Sequence, residues 1–225
     1  MIMALGSSLL LAGLAAAAAR QEEAPATRRF FGADGHGVRG APKTGPAPAI
    51  GDHAAYARWM VRSLTWGTMS TISTQAAIAG YPFGNPVSFA DGGTGNPYMC
   101  VSPLDSSVKD LAANPKFSLT VSAAQNSDAP AACAPHGRGD PENPPCARLA
   151  LTGDFQDLTG GPEFNTAVRA LNASHPTLDS WGCFQAGGSG GSHGFFLAKM
   201  AVKQAWLINM YGGAAVVDAA DYYAA

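Results

Sequence analysis

The chain has 225 residues, 47% hydrophobic and 13% charged, which is enough to bury one core and too little to argue for two large domains. Its formal net charge is -2 and its Lys and Arg are not clustered, so the electrostatic footprint of a dedicated nucleic-acid binder is missing and no nucleic-acid partner is expected.

Residues Met1 to Ala19 form a Leu- and Ala-rich apolar segment that closes on a run of alanines before Arg20. That pattern predicts a cleaved export signal over 1–19. No later segment has the length of apolar residues that a bilayer span needs, so no membrane span is expected in the mature chain. Residues 20–51 are rich in Pro, Gly and Ala and show neither helical nor strand periodicity, which reads as a flexible leader. Ordered structure is expected over 52–225.

Asp52 is placed to cap a helix running to about Leu64, with Ala57, Val61 and Leu64 on one face. Trp66 to Ser73 alternates and is rich in Thr and Ile, as a strand is. Gly80, Pro82, Gly84 and Pro86 read as turn signals before a second strand, Val87 to Ala90. Tyr98 to Ser102 then gives a third strand, Asp105 or a neighbouring serine caps a helix through Leu111, and Asn114-Pro115 stops it before a strand over Phe117 to Val121. Arg148 to Leu158 reads as strand and Pro162 to Leu171 as helix, and Phe195 to Met210 reads as a long or bent strand pair. Gly187 to Gly194 is a glycine and serine loop. The order of elements fits a mainly β protein with flanking helices, as an antiparallel barrel of six to eight strands.

If the export signal is cleaved, the four cysteines mature in an oxidising compartment, where three complete pairings are open to them. Cys133 and Cys146 bracket a Gly- and Pro-rich loop with little capacity for burial, and a bridge there would stabilise by about 3 kcal/mol on the chain-entropy model. The competing reading is a metal site from Cys133, His136, Asp140 and Cys146, but a structural zinc site wants two compact ligand pairs and this set supplies one. Cys100 reads as a buried thiol in an apolar strand, and Cys183 as free or joined to Cys100. Asn172-Ala173-Ser174 is the one N-glycosylation sequon.

Taken in order, Trp66-Gly67-Thr68-Met69-Ser70-Thr71-Ile72-Ser73-Thr74, Gly80-Tyr81-Pro82-Phe83-Gly84, Ser102-Pro103-Leu104, Asn114-Pro115, His175-Pro176, Phe195-Phe196-Leu197-Ala198-Lys199, Trp206-Leu207-Ile208, Tyr211-Gly212-Gly213 and Tyr222-Tyr223 form one collinear set. With Cys133 and Cys146 at matching spacing, the chain resembles the CREG family of secreted glycoproteins from about Asp52 to Ala225. The resemblance implies a split β-barrel like that of the flavin-dependent pyridoxamine 5'-phosphate oxidases, an FMN-binding split-barrel architecture. It also implies a homodimer, a secreted or endolysosomal location and no oxidase activity. In animal members a sorting receptor is the partner, but the sequons they carry around the segment matching Lys199 to Val202 are missing here.

Related oxidases hold the FMN phosphate with Arg and Lys from the barrel strands, because a buried dianion needs cationic partners. Between Ser63 and Val121 the basic residues are Lys109 and Lys116 alone. No FMN is therefore expected. If it does bind, the candidates are the hydroxyls Ser73, Ser102 and Ser107, with an anion site conceivable at the helix start near Ser106. Haem binding would need an axial ligand, and His136 and His193 both lie in glycine-rich loops where a solvated ring is the plain reading. No hydrolase, Walker or Rossmann spacing is present. Two functions stand: a dimeric binding protein without catalysis, and an FMN-dependent oxidoreductase.

Overall fold

A computed structural model describes residues 45–126, 129–185 and 193–225, all of which belong to the unit 38–225. The signal over 1–19, the leader as far as residue 44 and residues 187–192 of the glycine loop lie outside the described residues. Residues 45–51 are tied to the domain. Trp59 Nε1 donates to Gly45 O (2.9 Å) and Asn209 Nδ2 donates to Ile50 O (2.9 Å).

The first helix, α1 (His53–Ser63), starts where the Asp52 carboxylate accepts from Ala55 N at 3.1 Å, and it buries Ala57, Met60 and Val61. Strands β1 (Trp66–Ile72), β2 (Pro82–Ala90) and β3 (Tyr98–Val101) lead to α2 (Ser106–Ala113), which Asp105 caps through Ser107 N. Strand β4 (Lys116–Ser122) follows, then a loop closed by the Cys133–Cys146 disulfide, and β5 (Arg148–Asp157). Helix α3 (Phe164–Ser174), the long strand β6 (Phe196–Ile208), β7 (Ala215–Asp218) and α4 (Ala219–Ala224) complete the chain.

The strands lie in the order β3-β2-β1-β4-β5-β6-β7, and β3 also pairs with β6. All pairings are antiparallel, so six strands close a barrel and β7 extends it from β6. Alternation fills the inside: Met69, Phe117, Leu119, Val121, Leu149, Leu151 and Met200 are all buried. A second apolar cluster lies on the α3 side, where Tyr98, Leu158, Ala167, Leu171, Leu178, Cys183 and Leu197 pack together.

Two elements differ from the sequence reading. Strand β2 begins at Pro82 rather than Val87, because the prolines cost it no ladder bond. Phe89 N donates towards β1, to Thr65 O (2.8 Å), so with a period of two the positions of Pro82 and Pro86 face away from β1, where β3 pairs only with Phe89 and Ala90. Phe196 to Ile208 is one strand, bent by a bulge: Thr152 pairs with Gln204 while Gly153 pairs with Val202, leaving Lys203 as the extra residue. The bulge moves burial from Met200 and Val202 to Ala205 and Leu207, keeping the apolar side inward across the bend. Gly153 sits opposite, where a Cβ would collide with Ala201 O.

The edge of β6 that meets β3 at one end and β7 at the other is completed between them by single bonds. Met200 N donates to Pro97 O (3.0 Å), and Val202 N donates to the Tyr223 hydroxyl (2.8 Å), which itself donates to Asn96 Oδ1 (2.7 Å). Tyr223→Phe strips the acceptor from an amide on a buried residue, and is expected to cost about 1–3 kcal/mol. Urea unfolding checks it, and an unchanged midpoint would show that water takes the place of the hydroxyl.

Candidate functional site

A cavity of about 510 Å³ opens at the mouth of the barrel, between β1, β2 and β3, the start of α2 and the segments around Trp181 and Phe195. Its floor is apolar, with Met69, Val87 and Val101, and its polar lining includes Asn85, Ser88, Ser102 and Asp105. Trp181 leans on Phe195 with ring centroids 5.4 Å apart and 34° between planes, and His193 meets Phe195 edge-on at 6.0 Å.

Two ties hold the aromatic wall to the barrel. Cys100 on β3 is bonded to Cys183, with Cα atoms 5.9 Å apart, and Ser102 Oγ donates to His193 O (2.6 Å). The alternatives left open for Cys100 and Cys183 thus resolve to a bridge. It joins positions 83 residues apart, a loop worth about 4–5 kcal/mol on the chain-entropy model. Cys133 and Cys146 are likewise paired, and among the described residues no group of His, Cys, Asp and Glu could hold a metal ion. The reading of Cys100 as a buried thiol gives way to the bridge, and Cys133 and Cys146, two of the four residues of the alternative metal set, are joined to each other.

Helix α2 forms the opposite wall, and two carboxylates fix it. Asp105 accepts from Ser107 N (2.7 Å) and from Asn85 Nδ2 (3.1 Å to Oδ2), which joins the helix start to β2. Asp110, buried on the same helix, accepts from Thr74 N (2.6 Å), Thr74 Oγ1 (2.7 Å) and Thr71 Oγ1 (2.8 Å) at the end of β1. Burial would raise the Asp110 carboxyl, but these three donors outweigh it and hold the group below the ordinary carboxylate range. On the α3 side, Lys199 pairs with Glu163 and Tyr98 Oη donates to Glu163 Oε2 (2.9 Å). The lysine bond comes first in lowering the Glu163 carboxyl, against desolvation.

The three serines put forward for a cofactor do not meet. Ser102 lines the cavity, and its hydroxyl is spent on His193 O and Leu104 N. Ser107 is fully buried in the first turn of α2 with its hydroxyl unpartnered, outside the cavity lining. Ser73 is buried at the far end of β1, where its Oγ accepts from Gln75 N (3.2 Å). His136 lies in a single helical turn of the cysteine loop, whereas His193 reaches the cavity rim. Asn172 is exposed near the end of α3. Sequence reading missed Trp181, Asn85 and Asp105 as cavity residues. Only the aromatic run Phe195-Phe196 gave a hint, since what gathers the others is the Cys100–Cys183 bridge and the closing of the sheet.

The donor set does not fit the phosphate of FMN. Among the described residues the lining holds no Arg and no Lys, and its acidic side chain, Asp105, already occupies the Ser107 amide in the first turn of α2. The buried arginine nearest in kind, Arg58, is turned elsewhere: it donates to Gly93 O (2.9 Å) and lies over the Tyr222 ring at 5.4 Å.

Residues 48–224 match the family model described as CREG, beta-barrel. The chain is 34% identical over 182 residues to Protein CREG1 of Mus musculus, covering 79% of this chain and 76% of that one. It is 31% identical over 219 residues to Protein CREG2 of Mus musculus, covering 92% and 67%. In fold it is similar to a heme binding protein from Mycobacterium smegmatis, with a TM-score of 0.57 at 20% identity over 80% of this chain. The chain spans 62% of the length of that structure.

Because the Asp110 carboxyl is depressed in the fold, its stabilisation is full above the ordinary carboxylate range and is lost as pH falls through the depressed value. Asp110→Asn is expected to cost about 1–3 kcal/mol near neutral pH, and the gap to the parent should narrow between about pH 5 and about pH 3. Urea midpoints measured across that range check it. A gap that stays constant would mean that the carboxylate charge contributes nothing.

Proposed function

The chain belongs to the CREG family, and from that premise we propose that it is an exported, homodimeric split-barrel protein that acts by binding at its barrel mouth and surface rather than by flavin chemistry. One observation carries the reading. The cavity at the barrel mouth is lined, among the described residues, by a carboxylate, aromatic rings and the His193 imidazole, and by no Arg or Lys.

Export is supported by the apolar Met1–Ala19 segment and by two disulfides, which persist in oxidising compartments. Whether the final compartment is extracellular or endolysosomal, the lowered Asp110 and Glu163 carboxyls suit a fold that stays charged and bonded in mild acid. Self-association is supported by apolar side chains left exposed on the β1–β2 hairpin, Ile72 at 45%, Ile78 at 37% and Tyr81 at 68%. None of the described helices is long and apolar enough to cross a membrane.

The test is expression through a secretory pathway, followed by an absorption spectrum, an FMN titration and light scattering. A colourless protein that ignores FMN and has twice the mass of the chain is expected. Saturable micromolar FMN binding would establish the competing reading, an FMN-dependent oxidoreductase, and a monomeric mass would remove the dimer. Asn172 is the proposed glycan site, so Asn172→Gln should abolish the mass shift that an endoglycosidase produces; a shift that persists would refute it.

A further inference from the structure

We infer that the mouth cavity is a binding site for a planar organic cation, an aromatic ring system carrying a fixed positive charge. The inference rests on the binding role proposed above and names the ligand class for it. Volume comes first: about 510 Å³ is within the range of small-molecule sites and admits a two-ring compound.

Shape comes next. Trp181 is 49% exposed although it is tied to the barrel through the Cys100–Cys183 bridge two residues away, so an indole ring stays half-exposed beside Phe195. A ring held so gains by stacking with a flat ligand, and gains more if that ligand is positive.

Charge decides the class. Asp105 is the one carboxylate among the described lining residues, which include no Arg or Lys, and its hydrogen-bond partners, Ser107 N and Asn85 Nδ2, are neutral; the His193 ring of the same lining meets Phe195 edge-on. Among the described residues no ion pair reaches it. Lys109, one turn along α2, is exposed and is not part of the lining. A positive ring between Trp181 and α2 would meet an aromatic ring and a carboxylate that has no cationic side-chain partner among the described residues, whereas an anion of the same shape would be repelled by both.

Three probes of matched shape test it by calorimetry near neutral pH on the full secreted protein: N-methylquinolinium, neutral quinoline and quinoline-2-carboxylate. The cation is expected to bind at least about tenfold tighter than the carboxylate, with the neutral ring between them. Asp105→Asn keeps a good helix cap, and should collapse that ratio while leaving the neutral probe unchanged. Trp181→Leu should weaken all three. Equal affinity for the three probes, a carboxylate that binds best, or no binding of any probe at millimolar concentration overturns the inference, and these comparisons need the parent protein alone. A preference that survives Asp105→Asn in a folded variant also overturns it. The FMN titration separates the two failures: bound FMN refutes the proposed function, whereas silence from both FMN and the probes refutes only the ligand class.

Discussion

Strand β6 must satisfy three neighbours with two edges. One edge runs along β5 from Ala198 to Ile208, while the other meets β3 over Phe196 to Lys199 and β7 over Gln204 to Leu207. A buried amide left without an acceptor costs as much as a lost hydrogen bond, so the gap between β3 and β7 has to be filled. Pro97 O and the Tyr223 hydroxyl fill it, and Tyr222 fastens the same helix by donating to Gly95 O (2.8 Å). The bulge at Lys203 lets this one strand serve both partners without turning its apolar side outward. Barrel closure, the seat of α4 and the 91–97 turn that Arg58 braces thus depend on one another.

Closure also fixes where chemistry can occur. Because β3 pairs with β2 only at Phe89 and Ala90, the rest of β2, still paired with β1, parts from β3 and leaves a mouth that α2 and the Trp181 segment wall off. What enters that mouth is set by caps and tethers, not by the strands. Asp105 is present as the cap of α2, and the same carboxylate lines the cavity. The bridge at Cys183 settles the second apolar cluster and brings Trp181 to the rim. Structural and recognition roles fall on the same residues here, as they must in a cavity built from loop and helix ends.

Much of this was legible in the residues. Asp52 and Asp105 as caps, the alternation from Trp66 and from Phe117, and the stop at Asn114-Pro115 are local signals, and the barrel follows them. The prolines of β2 misled because their meaning depends on which side of the strand has a neighbour, and that is tertiary information. Lys203-Gln204, two polar residues in succession inside an alternating run, were the visible trace of the bulge. Four cysteines alone could not pair Cys100 with Cys183. Serines chosen for their strand positions scattered, because a hydroxyl on a strand faces wherever the pleat and its neighbours send it.

A split barrel can carry many chemistries, so fold similarity says little about what this cavity takes. Electrostatics says more. A unit negative charge placed about 4 Å from a carboxylate near a protein surface is opposed by about 4 kcal/mol, close to a thousandfold in affinity, before any ligand cation is counted. A phosphate site must overcome that with arginines or lysines, and this lining has none to set against Asp105. The same carboxylate favours a positive ligand, and the half-exposed Trp181 ring adds to that preference rather than opposing it. Asp105 thus caps α2 and opposes an anion with one and the same carboxylate, and neither role asks anything of the strands that build the barrel.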